Sequence, residues 1–339
     1  MNENIITHIP LKIYRYLRWK KEQHKIYSFN KKNFGREYAD ICASVDSAVW
    51  EEKPLEIQLN LQKKKDEYIL GVLQPILAPV IQKYKEICQF DLSDIVREKN
   101  EKIWVFWWSG EKEAPEIVKA CIKSIRKNSN GHEVILLNKD NYTDYVDMPE
   151  YVLKKRNQGM ISLANFSDIL RLSLLATYGG VWIDATAFIS QPIPERVFTD
   201  VFYTAKKVNF ELLFYSKSRW CSYFLAGSKN FPLFAFARDC FLQYWEKSNA
   251  LIDYLFVDYV LGIAYDNFAE IRKVFDSVED NNSARGLLME KINEEYSAQL
   301  FCDLSEKETF LSKLSWRYGN PRVLTADGKI SNYGHLLEL

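Results

Sequence analysis

Along the first hundred residues, apolar positions recur at helical spacing between charged runs, as in "PLEIQLNLQKKKDEYILGVLQ" (54–74), and glycine is scarce. This texture predicts a helical N-terminal region over 1–100. From residue 101 the period changes. "KIWVFWW" (102–108) and "HEVILLN" (132–138) read as strands, with "APEIVKACIKSIRKN" (114–128) as a helix between them that carries proline near its start. "SLANFSDILRLSLLATYGG" (162–180) reads as a helix ending on glycine, and "GVWID" (180–184) as the next strand. Strands alternating with helices predict an α/β fold with a largely parallel sheet over 101–339. Beyond Pro194 the pattern is less regular, with helices expected near 233–248 and 250–264.

The stretch "TYGGVWIDATAFIS" (177–190) concentrates the chemical interest. Two glycines feed a β-branched and aromatic run that stops on a lone acid, the pattern of a short buried strand with Asp184 at its C-terminal end. In open α/β sheets ligands bind outside those ends, so Asp184 is a candidate for chemistry, and the glycines are expected to let the backbone approach a ligand closely. Asp168 and Arg171, three apart on the preceding helix, share one face. They suit an intrahelical ion pair, or a pair gripping sugar hydroxyls with Asp168 as acceptor and Arg171 as donor.

Composition narrows the field. Lys plus Arg and Asp plus Glu both number 45, so no global charge points to nucleic acid. Aromatic residues make up 14% of the chain, enough for core packing and for platforms that stack bases or sugars. The 6 cysteines show no zinc-ligand spacing and read as free thiols in a reducing compartment, and the 4 histidines are too scattered for a local metal motif. Met1 to Pro10 lacks the form of a signal peptide, and the longest apolar stretch (68–81) is too short to span a bilayer, so a cytoplasmic location is expected. The opening segment interleaves Ile9, Leu11, Ile13, Leu17 and Trp19 with Lys12, Arg15, Arg18, Lys20 and Lys21. Such a segment can lie on the anionic inner face of a membrane, or pack its apolar side on its own protein.

"SDILRLSLLATYGGVWIDAT" (167–186) resembles glycosyltransferase family 32 and the related bacterial capsular polysaccharide synthesis proteins, and more distantly the glucosylating clostridial toxins. The resemblance runs over roughly 101–320. It implies a GT-A, Rossmann-like fold with an added helical N-terminal region, and a hexosyltransferase that uses a nucleotide sugar, UDP-linked, with retention of configuration. It also implies that Asp168 and Arg171 contact the donor sugar and that Asp184 opens a D-x-D-like motif. Trp107 falls where relatives stack a ring on uracil. "KLSWRYG" (313–319) resembles a loop that closes over the diphosphate, with Lys313, Ser315 and Trp316 as donor contacts and either Lys313 or Arg317 as the group that neutralises phosphate charge. "LIDYLFVDYVLG" (251–262) is similar to an acidic segment reaching the sugar from the far side, with Asp258 preferred and Asp253 the alternative. A divalent cation, Mn²⁺ or Mg²⁺, is implied on Asp184, Thr186 and Ser315. Thr186 departs from the motif, because a neutral hydroxyl replaces the second acid and weakens metal binding.

The implied acceptor is a lipid-linked saccharide in capsular or exopolysaccharide synthesis. The competing readings are a catalytically silent nucleotide-sugar-binding subunit of an assembly complex, suggested by Thr186, and a glycoside hydrolase, for which no opposed carboxylate pair is evident.

Overall fold

The computed structural model of the chain describes residues 11–91, 95, 101–317 and 321–338, and the side chains of all of these except 11–15 and 17. Ile9 of the basic opening segment and Tyr318 and Gly319 of the C-terminal loop motif lie outside the described residues. The chain forms two units, residues 1–75 with 250–254, and residues 76–249 with 255–339.

The first unit is helical, with helices Leu11–Phe34 and Arg36–Trp50 and the first part of the long helix Leu55–Ile87. Its helices are tied by aromatic pairs: Trp19 stacks on Trp50 at 4.8 Å and Tyr38 on Tyr68 at 5.1 Å. Trp19, one of the apolar residues of the basic segment, therefore packs on its own protein. Asp253 sits in this unit, paired with Lys65 at 2.6 Å.

The second unit is built on a five-stranded sheet. Its strands in chain order are β1 (Lys102–Phe106), β2 (Glu133–Leu137), β3 (Gly180–Ile183), β5 (Phe202–Thr204) and β6 (Phe224–Gly227), while β4 (Ala187–Ile189) and β7 (Leu311–Lys313) form a separate ribbon. The sheet order is β2-β1-β3-β6-β5, in which β1 runs parallel to β2 and β3, and β6 runs antiparallel to β3 and β5. The sheet is thus mixed and not largely parallel. The parallel half follows from the crossover helices Glu116–Lys127 and Leu163–Tyr178, which return the chain to the same sheet edge direction. No helix intervenes between β5 and β6, so the chain comes back alongside itself antiparallel.

β3 is buried along its whole length and packs with β1, β6 and the Glu116–Lys127 helix in one apolar core. β1 ends at Phe106, two residues short of the expected strand, and Trp107 and Trp108 begin a turn in which Gly110 N donates to Trp107 O at 2.9 Å. Gly179 and Gly180, at the entry to β3, serve the sheet and not a ligand. Both have positive φ, and a Cβ on Gly179 would lie 2.7 Å from Lys229 N, one on Gly180 2.5 Å from Lys102 O. They let the helix-to-strand turn press onto β1 and β6.

The β4–β7 ribbon pairs Ala187 with Lys313, Phe188 with Ser312 and Ile189 with Leu311. A segment near the end of the chain is thereby pinned beside the end of β3. All 6 cysteines are free, five of them buried. Among the described residues no helix is long and apolar enough to cross a membrane.

Candidate functional site

The Leu163–Tyr178 helix starts on Ser162, whose hydroxyl accepts from Asn165 N at 3.2 Å. Its residues from Asn165 to Leu175 are nearly all buried, and this apolar packing draws Asp168 and Arg171 inside with it. Only 8% of Asp168 and 4% of Arg171 is exposed. Two charges so deeply placed need partners. Arg171 supplies both sides of the solution: one terminal nitrogen donates to Asp168 Oδ1 at 2.9 Å and the other to Asp184 Oδ1 at 2.9 Å. Its guanidinium lies over the Trp182 ring at 4.9 Å, and the Trp182 indole N–H donates to the same Asp184 oxygen at 2.8 Å. Trp182 and Asp184 meet because residues two apart on a strand face the same way.

The other carboxylate oxygen of Asp184 accepts from Lys313 Nζ at 2.8 Å, and the same ammonium donates to Thr186 Oγ1 at 2.7 Å. The turn that follows β3 makes this possible, since Ala187 N donates to Asp184 O and leaves Asp184 and Thr186 half-buried on either side of buried Ala185. Lys313 is held from its own side by its backbone, donating to Arg285 O, and its ammonium lies over the Tyr223 ring at 4.9 Å. Four residues thus form one chain of alternating charge: Asp168, Arg171, Asp184, Lys313.

The environments of the two acids differ. Burial pushes the Asp168 carboxyl up to about 6, with Arg171 opposing and the Asp184 charge adding to the rise. Burial pushes Asp184 the same way, but Lys313 and Arg171 outweigh it and hold that carboxyl below its ordinary value. Asp184 is therefore a fixed anion. Asp168 is the more readily protonated of the two.

Trp107 and Trp108 diverge. Trp107 meets Trp316 edge to face at 5.8 Å, and Trp316 is 43% exposed with the Arg317 guanidinium over its ring. Trp108 turns to Tyr142 and Phe166, with Arg156 over its ring. Trp107 is the one beside the C-terminal loop. Ser315 Oγ accepts from Arg317 N at 3.2 Å. Asp258 lies in the first turn of helix Phe256–Asn267, buried, and accepts from the Trp220 indole at 3.1 Å. Asp253 is committed to Lys65 in the first unit.

Sequence reasoning missed several contributors. Trp182 was legible as a neighbour of Asp184, two residues away on a strand. Tyr223 and Arg285 carried no local signal. Arg285 pairs with Glu211 and Ser218 at 2.9 Å each and, through its carbonyl, anchors the backbone of Lys313.

The family of capsular polysaccharide synthesis proteins matches residues 54–329. The chain belongs to that family. A further relative is the O-glycosyltransferase braB of Annulohypoxylon truncatum, 30% identical over 110 residues, which are 30% of this chain and 26% of that protein. The chain thus matches about a quarter of that relative's length. No solved structure matches. The mixed α/β unit is compatible with a Rossmann-like glycosyltransferase domain.

In this capsular polysaccharide synthesis protein, the oxygens expected to hold a divalent cation do not fit one as they are arranged. Asp184 Oδ1 already accepts from Arg171 and Trp182, and Asp184 Oδ2 and Thr186 Oγ1 share the Lys313 ammonium. Hard dications take about six oxygens, with carboxylates supplying charge. Here a single carboxylate and two neutral hydroxyls are on offer, and among the described residues no group of three or more His, Cys, Asp or Glu side chains is placed to hold a metal.

Proposed function

We propose that this chain is a glycosyltransferase of the GT-A, family 32 type that moves a hexose from a UDP-linked nucleotide sugar to a lipid-linked saccharide in capsular or exopolysaccharide synthesis. The observation that carries the reading is the Asp168–Arg171–Asp184–Lys313 chain, which begins on a buried helix and comes out beside the C-terminal end of β3. In α/β proteins such an end is where ligands sit. Trp107 and Trp316 offer a stacking surface for the base. The Lys313–Ser315–Trp316–Arg317 segment presents two cations and a hydroxyl to a diphosphate.

Within this reading, Arg171 is a positioning residue, because its terminal nitrogens are occupied by the two acids and it acts through them. Asp168 keeps one oxygen with only a long 3.5 Å contact from Asn165, and that oxygen accepts from a sugar hydroxyl. Asp258 approaches the donor sugar from the far side. The helical region 1–100 is the acceptor-side or membrane-surface element. Attack comes from the face the leaving group vacates, with retention, and NMR of the anomeric coupling in the product tests this: an inverted product excludes it.

The deciding experiment is a nucleotide-sugar screen by released nucleoside diphosphate, on wild type and Asp184→Ala, with lipid-linked saccharide acceptors present. Release from one donor, lost in the variant, is the expected result. Donor binding without release under every condition overturns the enzymatic reading and favours the silent binding subunit that Thr186 suggests.

A further inference from the structure

We infer that the Lys313 ammonium occupies the place of the divalent cation in this site, so that nucleoside diphosphate binding and glycosyl transfer proceed without a metal. This rests on the nucleotide-sugar reading above and concerns how that site neutralises its leaving group.

Position comes first. Nζ bridges Asp184 Oδ2 at 2.8 Å and Thr186 Oγ1 at 2.7 Å, the two side-chain oxygens that a cation chelated by this D-x-T would use. The ammonium is not a long side chain that has drifted there. The Ala187–Lys313 register pins its backbone, Leu314 N donates to Thr186 O on one side, and Lys313 N donates to Arg285 O on the other. Three separate backbone constraints thus place one side chain in the chelating position.

Charge points the same way. Asp168 and Asp184 carry two negative charges, and Arg171 and Lys313 two positive ones, so the chain is neutral and has no surplus to attract a dication. Thr186 and Lys313 are complementary: a neutral hydroxyl accepts from the ammonium without adding charge. A second acid at 186 would restore a net negative site. Each departure from a metal-binding arrangement thus compensates the other.

Donor capacity completes the case. An ammonium has three N–H groups, and two are taken by Asp184 and Thr186. The third remains for a ligand oxygen, on a side chain that is 32% exposed. A charge-assisted hydrogen bond to a phosphate oxygen uses the group as a fixed point charge, held in place before the donor arrives. In transfer, the bond between the anomeric carbon and the β-phosphate oxygen breaks, and the diphosphate keeps the electron pair. A lone pair of the acceptor hydroxyl forms the new bond to that carbon, and the hydroxyl proton passes to a phosphate oxygen. Lys313 keeps its proton throughout and stabilises the charge that develops on the departing diphosphate.

The test uses the full chain, stripped of metal with EDTA, and titrates UDP by calorimetry, with GDP, ADP and dTDP in parallel, in EDTA and again in excess manganese. The expected result is one diphosphate bound with affinity equal within about twofold in the two buffers, since its charge is met by a group already in place. Transfer with the donor so identified then continues in EDTA. Lys313→Ala lowers the affinity in EDTA by about tenfold to a hundredfold, and Lys313→Ala combined with Thr186→Asp makes the remaining binding depend on manganese. Binding or transfer that wild type shows only with manganese overturns the inference and leaves the nucleotide-sugar reading standing. Absence of binding by all four diphosphates in both buffers overturns that reading and the inference with it. The comparison of the two buffers uses wild type alone, so neither outcome depends on whether a variant folds.

Discussion

Two aspartates in the second unit have nearly the same set of partners and different tasks. Asp184 accepts from a lysine, an arginine and a tryptophan; Asp239 accepts from Lys83 at 2.7 Å, from the Tyr84 hydroxyl at 2.9 Å and from Arg238 at 2.8 and 3.0 Å. Both carboxyls lie below their ordinary value although burial pushes each upward, because the surrounding donors outweigh it. Asp239 even borders a cavity of about 420 Å³, lined in part by Ser173, Thr177, Arg238 and Leu242. Yet its partners come from its own helix and from one other, and it is not in series with a second acid. Asp184 stands at the end of a central strand and joins a helix, a strand and a remote ribbon, with buried Asp168 behind it and half-exposed Lys313 in front. A neutralised carboxylate beside a cavity is therefore weak evidence of a site. Placement at the strand end, with charge relayed from interior to surface, is stronger.

The largest effect expected from this contrast is on turnover. Asp184→Asn, which keeps one acceptor oxygen for Arg171 and Trp182 but removes the negative charge and the oxygen that holds Lys313, is expected to lower donor turnover by about a hundredfold to a thousandfold, whereas Asp239→Asn leaves it within about twofold. Equal losses in a steady-state assay would break the comparison.

The pH dependence of stability has opposite signs at the two places. Asp168 titrates at about 6 in the folded protein against an ordinary 3.8, so between those values the folded state keeps a proton that the unfolded chain has lost. Its contribution is greatest below pH ~4 and falls by about 3 kcal/mol as pH rises through ~6. Asp239 is depressed, so its contribution is present above its ordinary value and is lost as pH falls through the lower folded one. Urea unfolding from pH 3 to 8, wild type against Asp168→Asn and against Asp239→Asn, reads both. A wild-type advantage over Asp168→Asn that grows from pH 4 to 7 would show that the first sign is wrong.

A smaller effect is expected at the rim. Trp316→Ala removes a half-exposed ring that meets Trp107 and is expected to weaken nucleoside diphosphate binding about tenfold, with the melting temperature unchanged because the ring is 43% exposed. The smallest is the stability cost of Asp239→Asn at neutral pH, about 1 kcal/mol, since the Lys83 side chain is 59% exposed and solvent screens it.

Much of this was open to reading along the chain because it is local. The helix and strand around 162–184 follow from periodicity, the i, i+3 spacing puts Asp168 and Arg171 on one face, and Asp184 falls at a strand end. The ion pair between Asp168 and Arg171, weighed from spacing alone, is present at 2.9 Å. The glycines were visible but their purpose was not, because the atoms they make room for, Lys102 O and Lys229 N, belong to neighbouring segments of the sheet. The direction of β5 and β6 was equally hidden, since hydrophobic period reports burial and not strand polarity.

Sequence by itself determined the α/β character of the region beyond residue 101, the shared helix face of Asp168 and Arg171 and the strand-end location of Asp184, because each depends on residues a few positions apart and on the fixed geometry of helix and strand. Only the tertiary structure decided that the sheet is mixed, that Arg171 joins both acids, and that Lys313 meets Asp184 and Thr186 across 129 and 127 residues of chain. That contact depends on the β4–β7 register, which the packing of the whole unit sets and no local pattern encodes.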